Sequence, residues 1–221
     1  RKKPRLVLTP GQEGFTLAEL GEGFKFTPEP VHLNDLVTSA LDTPAFRALR
    51  DARPQVLVDA RLSETLPAVS GSPTLLRQAL VSLASVFLHP LEAGGRLILT
   101  TGTEHQVDPW GHFIQGRTGT YSFVRLHSSW RAETEELEHL FEPYAVPRCA
   151  AAGASGLALT RVVLCMRAHK GLMQIQSEPS AGTDAKLLFP VLQTATPEVT
   201  ILADPSVGGT RVLVEIGRAH V

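Results

Sequence analysis

Between Ala154 and Phe189 the sequence changes period twice, and that order of elements limits what the chain can become. From Leu157 to Met166 the apolar residues Leu157, Leu159, Val162, Val163 and Met166 recur at helical spacing, which predicts a helix with one buried face. Lys170-Gly171 closes that helix, with Gly171 suited to a left-handed cap. Met173 and Ile175 then alternate with Gln174 and Gln176, the pattern of a strand buried on one side. Glu178-Pro179-Ser180-Ala181-Gly182 reads as a turn and Ala185 to Phe189 as a second apolar strand. A hairpin is marginal alone, so the remaining chain must extend this sheet and bury the helix against it.

The 221 residues carry enough apolar content for a real core, at 43%. One domain of about 150–160 residues plus flanks is the natural expectation for this length. A net charge of −1 supplies no electrostatic reason to expect nucleic acid or an acidic membrane as partner. Cys149 and Cys165 have neither CxxC nor His-flanked spacing, so no metal site is expected, and Cys165 reads as a core thiol in a reducing, cytoplasmic setting. No apolar run is long enough to span a bilayer, although a parent protein could be membrane-anchored.

Upstream, His32 to Arg50 is expected to be helical and broken near Pro44, with Leu33, Leu36, Val37, Ala40 and Leu41 inward. Gln55 to Ala60 reads as a strand and Pro67 to Gly71 as a short extended piece. Ser72 is a good N-cap with Pro73 at the first helical position. The helix that follows runs to about His89, burying Leu76, Ala79, Leu80, Leu83 and Phe87 and leaving Gln78, Ser82, Ser85 and His89 as a polar stripe. After Gly94-Gly95, Arg96 to Thr101 is the next strand, Glu104 to Thr118 a polar loop with His105, Trp110 and His112, and Tyr121 to Leu126 another strand.

Several of these segments carry motifs of one family. Ser177-Glu178-Pro179 with Gly182-Thr183, the glycine turn Ala154-Ser155-Gly156-Leu157-Ala158-Leu159, Phe141-Glu142-Pro143-Tyr144 and the string from Arg77-Gln78 to Gly94-Gly95 occur in order. Together they resemble the ATPase domain of sensor histidine kinases, the GHKL or Bergerat fold. The resemblance implies an α+β, two-layer α/β sandwich with the helices on one face of a mixed sheet, over residues 31–192. In the family this site binds ATP and magnesium, and its ligand positions fall here on changed residues. Two asparagines of the helix become Ser82 and Val86, with Ser85 in place of Val86 if the register slips by one, and the alanine after the second becomes Phe87. Valine has no oxygen for magnesium. The aspartate that holds adenine falls on His127 or on Ser128, and neither is a carboxylate. In the last glycine box Ser155 and Gly156 remain beside Ala154 and Ala158, whose β-carbons restrict close approach to a phosphate.

These positions (Gln78, Ser82, Ser85, Val86, His127, Ser128, Ser155 and Gly156) are the degenerate ATP site that the resemblance implies, with no catalytic residue and no bound cofactor expected. The expected function is a non-catalytic pseudo-ATPase module of a hybrid sensor kinase in two-component signalling. The alternative is an active kinase that uses ATP and magnesium through unusual ligands. Residues 1–30 resemble the connector from the dimerisation helices, 193–207 a linker, and 208–215 the first strand of a receiver domain. Expected partners are therefore the dimerisation helices and receiver domain of the same parent, itself a homodimer, with no nucleic acid. Glu215 to Val221 can be encoded by a short-read sequencing adapter after one or two genuine bases, so 216–221 is expected to be a scar without function.

Overall fold

In a computed structural model of the chain, residues 26–111, 115–133 and 157–192 are described, together with the backbone alone of 201–202 and 213–214. The chain divides into two units, Arg1–Val191 and Leu192–Val221. In the second unit, β8 (Ile201–Leu202) and β9 (Leu213–Val214) pair antiparallel, so the strand expected within 208–215 makes a two-residue ladder. The basic N-terminal cluster, Phe141–Tyr144, Cys149, Ser155, Gly156, His112 and the 216–221 tail lie outside the described residues.

The first unit opens with β1 (Glu29–Val31), which the sequence reading left inside a connector; it pairs antiparallel with β3 (Val69–Gly71). Between them come α1 (Leu33–Leu41), α2 (Pro44–Asp51) and β2 (Leu57–Arg61). The break expected near Pro44 falls between α1 and α2, and Pro44 starts the second helix, because Thr43 Oγ1 accepts the Phe46 N–H at 3.2 Å and Pro44 needs no partner of its own at the first helical position. Then follow α3 (Pro73–Leu88), β4 (Arg96–Gln106), β5 (Gly119–Ser128), α4 (Leu157–Ala168), β6 (Leu172–Glu178) and β7 (Gly182–Pro190). Ser72 caps α3, accepting the Leu75 N–H at 3.4 Å.

The five-stranded sheet has the order β2-β4-β5-β7-β6, with β2 parallel to β4 and the other neighbours antiparallel. Side chains alternate across it. Leu97, Leu99, Val124, Leu126, Met173, Ile175, Ala185, Leu187 and Phe189 share one face and one core with Leu33 and Val37 of α1, Leu80, Leu83 and Phe87 of α3, and Val162 and Met166 of α4. The helices therefore lie on a single face, giving the two-layer sandwich. Full burial of side chains such as Phe87, Leu83 or Leu126 contributes about 1.5–3 kcal/mol each. Among the described residues the opposite face carries a small cluster, Tyr121, Leu172 and Leu188 with Phe123, beside charged side chains. There Lys186 Nζ contacts Glu104 Oε2 at 2.6 Å and lies 4.4 Å from the Phe123 ring centre.

Two expectations are corrected. The loop predicted to start at Glu104 begins later, because β4 runs on to Gln106 and pairs residue by residue with β5 back to Gly119. This end of the hairpin outreaches the helices, so Thr103 and His105 are exposed and no buried alternation reveals the strand. The left-handed residue after α4 is Lys170 (φ 53), not Gly171. The Gly171 N–H donates to Met166 O (2.8 Å) and the Lys170 N–H to Arg167 O (3.0 Å), which is a Schellman end with lysine at C′. Gly171 is needed for proximity: a β-carbon there would stand 2.6 Å from Met166 Cε and 2.9 Å from Leu188 O.

Candidate functional site

The outward stripe of α3 is the first wall of the candidate site. Gln78 is exposed and Ser82 half-buried, while Ser85 and His89 turn back on their own helix. Ser85 Oγ donates to Ser82 O at 2.7 Å, and His89 Nδ1 lies 2.9 Å from Ser85 O. Val86 is 8% exposed and sits in the core beside fully buried Phe87. The stripe thus offers Gln78 and Ser82 outward and withdraws Ser85 and Val86.

At the end of β5 the pairing puts the two candidate positions on opposite faces of the sheet. Ser128 lies opposite Leu97 and Thr183, on the helix-facing side, and is fully buried. Its hydroxyl donates to Phe87 O (3.2 Å) and accepts the Trp130 N–H (3.2 Å). His127 points to the other face, where its Nδ1 is 3.1 Å from Asp184 Oδ1, the atom that also holds Arg125 Nε at 2.8 Å. Trp130 packs edge-on against Phe87, ring centres 6.1 Å apart. Phe87, Trp130 and Ser128 therefore fill the space under the end of α3 with protein.

Thr183 fixes the segment after β5. Its buried Oγ1 donates to Trp130 O (2.7 Å) and accepts the Ala132 N–H (3.2 Å), with Ser177 Oγ at 3.0 Å. Gly182 makes this approach possible, with φ +106 and its Cα against the Ser128 carbonyl, where a β-carbon would collide. At the other end of α4, His169 is 5% exposed. Its Nδ1–H donates to Cys165 O (2.7 Å), which leaves Nε2 to accept the Ser72 N–H (2.9 Å) at the start of α3. Phe26 stacks on the ring at 4.3 Å. Burial, only partly opposed by the bond to Cys165 O, lowers the His169 pKa below its ordinary value. Burial likewise pushes the Cys165 thiol up to about 12, so it stays protonated.

A cavity of about 340 Å³ opens on the outer side of α3, bounded by Thr43 at the N-cap of α2, Arg77, Gln78 and Ser82 of α3, and Arg161 and Cys165 of α4. The structure brings Gln78 and Ser82 together here, but not Ser85, Val86, His127 or Ser128. The sequence reading missed Arg161, which shares a helix face with Cys165, and it missed the part played by Arg77. Magnesium takes oxygen ligands, preferably including carboxylate. This cavity presents an amide, hydroxyls and two guanidinium groups, so the residues present do not fit that ion. Among the described residues no group of three or more His, Cys, Asp or Glu side chains could hold a metal, and no helix is long and apolar enough to cross a membrane.

No protein-family model matches the chain, and no curated protein matches it. Solved structures do. A mycobacterial sensor histidine kinase, MprB, is 19% identical with a TM-score of 0.56, over 75% of this chain and 98% of that one. Acinetobacter baumannii histidine kinase AdeS is 17% identical with a TM-score of 0.54, over 76% of this chain and 70% of that one. Full-length ShkA, solved in complex with AMPPNP, is 19% identical with a TM-score of 0.57 over 79% of this chain, which spans 33% of that kinase. The chain has the fold of histidine kinase catalytic domains, the Bergerat ATPase fold.

Proposed function

We propose that this chain is a degenerate ATPase-type module of a hybrid sensor histidine kinase, non-catalytic, with a regulatory or scaffolding role in two-component phosphorelay signalling. The observation that carries the reading is the state of the ligand positions. Val86 is buried among apolar side chains, and the Ser128 oxygen is engaged by Phe87 O and the Trp130 N–H. A hydrogen bond to a charged group contributes about 1.5–3 kcal/mol, so losing base and metal contacts together weakens nucleotide by roughly a hundredfold or more. Phosphoryl transfer depends on metal and positioning and suffers further. Fold alone does not confer activity.

In this reading the module sits in the cytoplasm between the dimerisation helices and receiver domain of a homodimeric parent and holds them in one arrangement. The competing reading, an active kinase using Gln78 and Ser82, draws on the two polar positions that do face the cavity. Release of inorganic phosphate from ATP in magnesium buffer separates them. The proposal expects a rate equal to that of buffer alone. Magnesium-dependent turnover, lost on Ser82→Ala, would establish the competing reading.

A further inference from the structure

The cavity over α3 holds more positive charge than its scaffold requires. Arg77 and Arg161 both line it, and neither has an ion pair or side-chain hydrogen bond among the described residues. The Gln78 amide and Ser82 hydroxyl beside them are also without a protein partner among those residues. Among the described residues no Asp or Glu lines the cavity, and the Cys165 thiol, pushed up to about 12, adds no negative charge. Exposed arginines are ordinary, but two from different helices beside two neutral donors, in a concavity with no acid among its described lining residues, form a recognition surface for an anion. Guanidinium groups suit phosphate in particular, because their planar fork donates paired hydrogen bonds to its oxygens. The volume, about 340 Å³, falls within the roughly 300–1,000 Å³ of small-molecule pockets.

We propose that this groove between α2, α3 and α4 binds a polyphosphate anion, either free or as the tail of a nucleotide, without a metal ion. Arg77 and Arg161 carry the charge neutralisation, and Gln78 and Ser82 donate to the remaining oxygens. The site shares Gln78 and Ser82 with the degenerate nucleotide positions and rests on that reading for its independence from magnesium. Two fixed guanidinium charges repel the metal, and magnesium bound to the ligand lowers the charge they attract.

The test is a calorimetric titration of the full chain with sodium tripolyphosphate in EDTA at low salt, with ATP and adenosine as parallel arms. Saturable tripolyphosphate binding is expected, with none for adenosine. ATP equal to tripolyphosphate identifies the polyphosphate tail alone as the ligand, and tighter ATP identifies a nucleotide. Arg77→Gln and Arg161→Gln should each weaken binding by about tenfold or more. Raising salt should weaken it as well. Arg161 is exposed and Arg77 half-buried, and an unchanged Tm verifies each variant's fold. Absence of saturable binding, or affinity unchanged from the parent chain in both variants, overturns the proposal and leaves the non-catalytic reading intact. Binding that appears only with magnesium overturns both.

Discussion

At the β6–β7 hairpin polar motif residues hold backbone groups inside the fold, whereas the C-terminal half of α3 buries apolar side chains such as Val86 and Phe87. Gly182 lets β7 approach the Ser128 carbonyl, Thr183 holds Trp130 and Ala132, and Ser177 lies within hydrogen-bond distance of Thr183. These residues satisfy backbone groups, a demand independent of any ligand. Val86 and Phe87 of α3 fill space, and Ser128 at the end of β5 bonds to protein. The glycine–threonine turn is thus accounted for by the backbone geometry it builds, with no ligand required.

Gly182→Ala gives the largest expected effect. It demands a left-handed φ and drives a β-carbon into the Ser128 carbonyl, so a loss of about 3 kcal/mol or more is expected in urea unfolding. A loss under about 1 kcal/mol would mean that this hairpin adapts and that the comparison is wrong there.

Thr183→Val keeps the shape and removes the hydroxyl, leaving Trp130 O and the Ala132 N–H without their partner. The expected cost is about 2 kcal/mol, with increased exposure of Trp130 in its fluorescence spectrum. An unshifted spectrum would show that the segment after β5 is held by something else.

Acid should loosen the join between α3 and α4. His169 is buried neutral with a lowered pKa, so the unfolded chain binds the extra proton first. Its contribution is complete above the ordinary histidine value of about 6.5 and is lost as pH falls through the lower folded value. Tm should therefore fall from pH 7 toward pH 5, and less steeply in His169→Gln. Equal slopes in the two proteins would remove His169 from the account.

The smallest effect runs the other way. Lys170→Gly relieves a left-handed lysine at φ 53 and should stabilise by about 0.5–1 kcal/mol in the same unfolding assay. A destabilised variant would mean that the Lys170 side chain contributes more than its backbone costs.

The sandwich was legible because α3, α4 and the hairpin keep their periods where they are buried, as at Leu76, Leu80, Leu83 and Phe87. The far ends of β4 and β5 were hidden because they leave the cover of the helices. Gly171 drew attention to the right turn for the wrong reason, since a glycine needed for close approach reads like one needed for its φ. The choice between His127 and Ser128 depended on strand register, where a slip of one residue exchanges the faces. The pairing with Leu97 and Thr183 shows that Ser128 is the one on the helix-facing side. Arg161 was hidden because the groove it lines is formed by segments distant in sequence.

The central claim is that the ligand positions no longer serve magnesium and nucleotide together. It is tested most directly by titrating ATP into the chain in magnesium and again in EDTA. The expected affinity is weak in both and no tighter with the metal. Affinity that rises tenfold or more with magnesium, about 1.4 kcal/mol, would contradict the account.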